Sequence, residues 1–112
     1  MGPMPGKFLA EFELYVMLAI AQKGDDAYGA IVREEIESRT ERPVSIGALY
    51  ATLARLEAKG LITVRTARRI AGQRGRARRY CRLTPRGDEA LRHSTAMLGR
   101  MMAGLKLAEG EK

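Results

Sequence analysis

The stretch "SIGALYATLARLEAKGLI", Ser45 to Ile62, decides the fold. Leu49, Leu53 and Leu56 recur at i, i+4 and i+7, the spacing of a helix face turned toward a core. Ser45 is a residue type that caps helix N-termini. Lys59-Gly60 is a helix ending, a cation in the last turn followed by the glycine of a left-handed cap. The opposite face carries Gly47, Ala51, Ala54 and Ala58, which offer only hydrogen and methyl groups. Alanine is a good helix former on any surface. The bareness therefore has meaning only if something large has to come close, and the neighbouring segments must supply that reason.

Downstream, "LITVRTA" (61–67) reads as a strand and "RRIAGQRGRA" (68–77), with Gly72 and Gly75, as a hairpin tip. "RRYCRLT" (78–84) reads as the returning strand. Thr84 then caps, and Pro85 starts, a last helix that is expected to run to about Leu107. Upstream, "KGDD" is a turn, and Asp25 or Asp26 is expected to cap a helix from Ala27 to about Arg39. That helix turns Tyr28, Val32 and Ile36 inward, with Ile31 beside them. Pro43 ends it, because a proline disfavours helix in the residue before it. A first helix is expected from Phe8 to Lys23. It is apolar almost all round, with Phe8, Phe12 and Tyr15 on one stripe and Leu14, Leu18 and Ala21 on another. A helix apolar on every side is buried on every side, and a domain of 112 residues cannot surround one unaided. A second subunit is expected to cover part of it.

The order is helix, helix, helix, strand, basic tip, strand, helix. It predicts a mainly α fold with a small β-hairpin, a winged helix-turn-helix followed by a C-terminal dimerisation helix. The expected divisions are a disordered leader (1–7), a DNA-binding domain (8–83), and a dimerisation helix with tail (84–112). In the last helix Leu91, Leu98 and Leu105 are spaced by sevens, with Met97, Met101 and Met102 beside them. Seven-residue spacing suits helix pairing. The expected dimer interface is therefore Phe8, Phe12, Tyr15, Leu91, Leu98, Met101, Met102 and Leu105.

Charge locates the partner. The net charge is +7, yet residues 65–82, "RTARRIAGQRGRARRYCR", hold eight arginines and no acid. Outside that segment 12 basic residues face 13 acidic ones, so the basicity is one local device, and such a device attracts a polyanion. In helix-turn-helix proteins the second helix of the pair lies in the major groove of duplex DNA, which is roughly 12 Å wide. Small residues permit that approach. The expected DNA-binding set is Ser45, Ile46, Gly47, Tyr50, Ala51 and Arg55 on the helix, with Arg74, Arg76, Arg78 and Arg79 on the wing. Ser45 and Tyr50 would hold backbone phosphates, Arg55 a flanking phosphate, and Ile46 would meet thymine methyls. Few groups on this helix reach base edges, so sequence preference would lean on DNA shape and on wing arginines in the minor groove. Arg65 and Arg82 are expected as scaffold or flank contacts. A palindromic operator, bound by a homodimer, is the expected target.

Other functions find little support. Cys81 is the only cysteine and His93 the only histidine, so neither a disulfide nor a zinc-type cluster can be assembled. Cys81 alternates inward with Leu83 and reads as a small core residue. No catalytic constellation, metal site or cofactor is expected. No apolar run approaches the roughly 20 residues of a membrane span, and a cytoplasmic location is the default. A protein-interaction module docking on an acidic partner, or an RNA-binding winged domain, stands as the alternative function.

Three motifs together resemble the PadR family of bacterial transcriptional regulators: "AYGAIVREEIESRT", "VSIGALYATLARLEAKGLI" and "GRARRYCRLTPRG", spread over about residues 8–95. The resemblance implies a homodimeric winged helix-turn-helix repressor in which Ser45, Gly47 and Tyr50 match the DNA-helix motif. It also implies dimerisation through a C-terminal helix packed on the partner's first helix. Many members carry Tyr where Cys81 stands and Thr where Ala48 stands. Some relatives release DNA on binding a drug-like or phenolic effector between subunits; the effector here, if there is one, is unknown.

Overall fold

Three leucines set the position of the third helix. In the computed structural model, which describes residues 9–67 and 78–106, Leu49, Leu53 and Leu56 are all buried. Each contributes about 1.5–3 kcal/mol by leaving water. The elements are α1 (Glu11–Lys23), a 3-10 turn (Gly24–Asp26), α2 (Gly29–Thr40), α3 (Ile46–Ala58), β1 (Ile62–Ala67), β2 (Arg78–Leu83) and α4 (Pro85–Met102). β1 and β2 form a two-stranded antiparallel sheet with Ile62 opposite Leu83, Val64 opposite Cys81 and Ala67 opposite Arg78. Val16, Met17 and Ile20 of α1 meet Val32 and Ile36 of α2, the α3 leucines, and Leu61, Ile62 and Cys81 in one core. This is a winged helix fold.

The element ends differ from the sequence expectation at three places, each for a local reason. α1 begins at Glu11, not Phe8, and Phe8 and the leader 1–7 lie outside the described residues. Ala10 is extended and its N–H donates to Glu13 Oε1 at 3.1 Å, which closes the helix N-terminus there. α2 begins at Gly29, not Ala27, and neither Asp25 nor Asp26 caps it. Ala27 and Tyr28 are drawn into extended backbone instead. The Cys81 N–H donates to the Ala27 carbonyl at 2.7 Å, and Tyr28 bridges Tyr80. α4 stops at Met102, short of Leu107, because Ala103 is extended and Gly104 takes a left-handed φ of 78°. Leu107 lies outside the described residues.

The joint between sheet and α4 is tightly specified. Thr84 Oγ1 donates to the Gly60 carbonyl at 2.7 Å and accepts from the Gly87 N–H at 2.9 Å. At Gly87 a Cβ would sit 1.9 Å from the Leu61 carbonyl oxygen, so only glycine allows the first turn of α4 to rest there.

Candidate nucleic-acid interface

The site begins at the turn before α3. Glu41 adopts left-handed backbone with φ 58°, and Val44 is buried. Both backbone groups of Val44 are held from α2: Arg33 Nε donates to its carbonyl at 2.7 Å, and its N–H donates to Glu37 Oε2 at 2.8 Å. These two side chains fix where α3 starts. Ser45 then caps the helix, its Oγ accepting from the Ala48 N–H at 3.0 Å. Such a cap is worth about 1 kcal/mol, and it leaves the hydroxyl hydrogen free to donate outward.

The outer face of α3 is uncovered. Gly47, Ala51, Ala54 and Ala58 are all exposed, and nothing lies within 4 Å of a Cβ built on Gly47. Ile46 stands out at 54 % exposure. Tyr50 has two roles. The residue is 39 % exposed, and its hydroxyl lies so near Gly29 that a Cβ there would be 2.5 Å away. The phenol end therefore packs against the start of α2 while the residue as a whole stays partly exposed. Thr52 is buried with the leucine stripe.

The wing root is joined to this face by stacked aromatic rings and guanidinium groups. Tyr28 and Tyr80 meet edge to face with centroids 5.4 Å apart. Arg78 lies 4.4 Å over the Tyr28 ring and Arg65 5.0 Å over Tyr80. Each such contact contributes about 0.5–1 kcal/mol at an exposed site. Arg79, on the other face of the strand, lies 6.0 Å from the Tyr50 ring of α3. The described end of the wing and the N-terminal half of α3 thus share one side of the molecule. Arg82 pairs with Asp25 at 3.0 Å, with both side chains exposed. Arg74 and Arg76 lie outside the described residues.

Arg55, expected as a flanking phosphate contact, is half-exposed and makes two contacts within the protein. Its Nη2 donates to Thr52 Oγ1 at 2.9 Å, and its Nε lies 3.7 Å from Glu13 Oε2. Glu13 is a feature that sequence reasoning missed. It is only 4 % exposed, on the inner side of α1, and its Oε2 also accepts from Lys59 Nζ at 2.9 Å. Burial pushes its pKa up. The Lys59 hydrogen bond, the Ala10 amide and the charges of Lys59 and Arg55 outweigh that and hold the carboxyl below its ordinary value. An unpaired carboxylate so deep would cost several kcal/mol. The only signal in the sequence was an acid at a position where every helical neighbour is apolar.

The expected dimer face divides in two. Leu98, Met101, Met102 and Leu105 are exposed, Met101 at 81 %. Leu91 is not part of that face: it is buried in this chain's own core, because the first turns of α4 pack on the domain before the helix leaves it. Phe12 and Tyr15 are half-buried against the core, and Tyr15 donates to Glu11 Oε2 at 3.1 Å. Between α1 and α4 runs an open groove of about 540 Å³ walled by Leu14, Tyr15, His93, Met97, Leu98 and Met101.

Cys81 is buried, and burial pushes its thiol up to about 11, with Arg79 pulling the other way. It has no character of a nucleophile. Among the described residues no group of three His, Cys, Asp or Glu is placed to hold a metal ion, and no helix is long and apolar enough to cross a membrane.

Residues 17–93 match the sequence profile of the transcriptional regulator PadR-like family. The chain belongs to this family. Its members are transcriptional regulators, not enzymes. A curated relative, Transcriptional regulator Rv3488 of Mycobacterium tuberculosis, is 45 % identical over 67 residues, which is 60 % of this chain and 58 % of the relative. The chain therefore spans under two thirds of that relative's length. Among solved structures, a PadR family transcriptional regulator from Eggerthella lenta is 26 % identical with a TM-score of 0.62, covering 84 % of this chain and 83 % of its own. The complex structure of hsRosR-S1 has a TM-score of 0.68 at 21 % identity, covering 90 % of this chain and 82 % of its own, and shows the shared fold.

Proposed function

We propose that this PadR-like regulator is a homodimeric repressor that binds duplex DNA, inserting the bare face of α3 into the major groove and laying the arginine wing along flanking phosphates and the minor groove. One observation carries the reading. The exposed Gly47–Ala51–Ala54–Ala58 face and the root of the arginine wing lie on one side, with the Arg79 guanidinium 6.0 Å from the centre of the Tyr50 ring. Ser45, Ile46, Gly47, Tyr50 and Ala51 meet the groove. Arg79, Arg78 and the tip arginines Arg74 and Arg76 take phosphates, each contact steepening the salt dependence by about 0.9 log units. The exposed apolar residues of α4 and the half-buried stripe of α1 support two-fold pairing, which would present two reading helices to a palindromic site about one helical turn apart.

The test is an electrophoretic shift with duplex from upstream of the protein's own gene. The expected result is a shifted band that survives excess random duplex. A band lost at equal mass of random duplex, or a preference for RNA, would overturn the reading.

A further inference from the structure

The deepest charge in the described structure lies between α1 and α3. Glu13 sits on α1 among Val16, Met17 and Ile20, yet its carboxylate reaches α3. Oε2 takes Lys59 Nζ at 2.9 Å and lies 3.7 Å from Arg55 Nε, while Oε1 takes the Ala10 N–H. Arg55 is held a second time by the hydroxyl of buried Thr52. Lys59 and Arg55 are the only two cations of the segment 45–60, and both are turned back onto α1. The leucine stripe holds α3 to the core by contacts that are not directional. Glu13 adds a directional, charge-assisted tie at the C-terminal half of the same helix.

We propose that Glu13 is a positioning and specificity-determining residue. It withholds Arg55 and Lys59 from the duplex and fixes the C-terminal half of α3 against α1. The proposal rests on the DNA-binding reading above. Its physical consequence is a division of labour. Cations free to swing from a reading helix attract every phosphate backbone alike and raise non-specific binding. Holding them inward leaves the non-specific pull to the wing and leaves α3 to shape. A neutral side chain of the same size removes the charge that draws both inward.

The experiment measures binding to the shifted duplex and to random duplex over a salt series, for wild type, Glu13→Gln, Arg55→Ala and the double variant. In wild type, Arg55→Ala should leave the salt slope unchanged. Glu13→Gln should steepen it by about one to two contacts' worth, roughly 0.9 log units each, and should narrow the ratio of specific to random affinity at least several-fold. Arg55→Ala added to Glu13→Gln should take back about 0.9. If Arg55→Ala alone flattens the slope by about 0.9, Arg55 is a phosphate contact in the native protein and the proposal is wrong. A slope unmoved by Glu13→Gln is equally fatal. Should Glu13→Gln fail to fold, as judged by its melting curve, the single variants Arg55→Ala and Lys59→Ala decide. Unchanged slopes in both uphold the proposal, and a loss of about 0.9 in either overturns it. A wild type that never prefers the duplex over random sequence removes the DNA reading itself, a different result from any of these.

Discussion

Adding one methyl group at Gly87 would place a carbon 1.9 Å from the Leu61 carbonyl oxygen, with no flexible side chain to yield. Gly87→Ala is expected to lower stability by about 2–3 kcal/mol, read from denaturant midpoints. Gly47→Ala is the opposite case. Open space surrounds it and its backbone is helical, so the substitution should raise stability by roughly 0.5 kcal/mol. If its face meets a groove closely, the same variant should bind the operator less well. A gain in stability with no loss of binding would count against close approach there. Glu13 has a folded pKa below its ordinary value of 4.5. Its contribution is in full force above that value and disappears as the pH falls through the lower folded value. The acid side of the stability curve should therefore flatten in Glu13→Gln. Cys81 runs the other way. Its raised pKa means its contribution is whole below the unfolded thiol value and declines as the pH rises toward about 11, and native protein at pH 8 should resist thiol reagents that react at once after unfolding. Single residues were unevenly legible. Ser45 as a cap, Cys81 as a core residue and Thr52 beside the buried stripe follow from local spacing. Glu13, and the hold of Arg33 and Glu37 on Val44, depend on partners 7 to 46 positions away, and no periodicity reports such pairs.

Among the elements, α3 was readable almost to the residue because its stop and start signals agree with its leucine stripe. The start of α2 was not, since a strand far downstream captures Ala27 and Tyr28 through the Cys81 N–H and the Tyr80 bridge. Tertiary pairing there overrides a plausible aspartate cap. The seven-residue series in α4 misled at its first member: Leu91 obeys the period but lies where the helix still rests on its own domain. On the described part of the wing, Arg79 is exposed and lies 6.0 Å from the Tyr50 ring of α3. Arg79→Ala is expected to weaken all duplexes alike and to reduce the salt slope by about 0.9, measured by fluorescence anisotropy. A changed sequence preference would mean that this arginine reads bases.

At the scale of the whole molecule, the unclaimed surface is the exposed apolar run from Leu98 to Leu105 and the adjoining groove on α1. Leu98→Glu combined with Met101→Glu should yield monomers in sedimentation velocity and lower operator affinity by more than tenfold, as two linked half-site contacts become one. Retention of dimer mass would take α4 out of the interface. The Thr84–Gly87 joint matters here as well. With the hydroxyl of Thr84 bound at both ends and Gly87 seated on a carbonyl, α4 departs from the winged body as a cantilever without a pivot. Two such arms clasped together would act as calipers of fixed gape. An operator whose halves are moved apart by five base pairs, half a turn of the duplex, would turn one half-site to the far side of the helix, and no bending at the root of α4 could follow it.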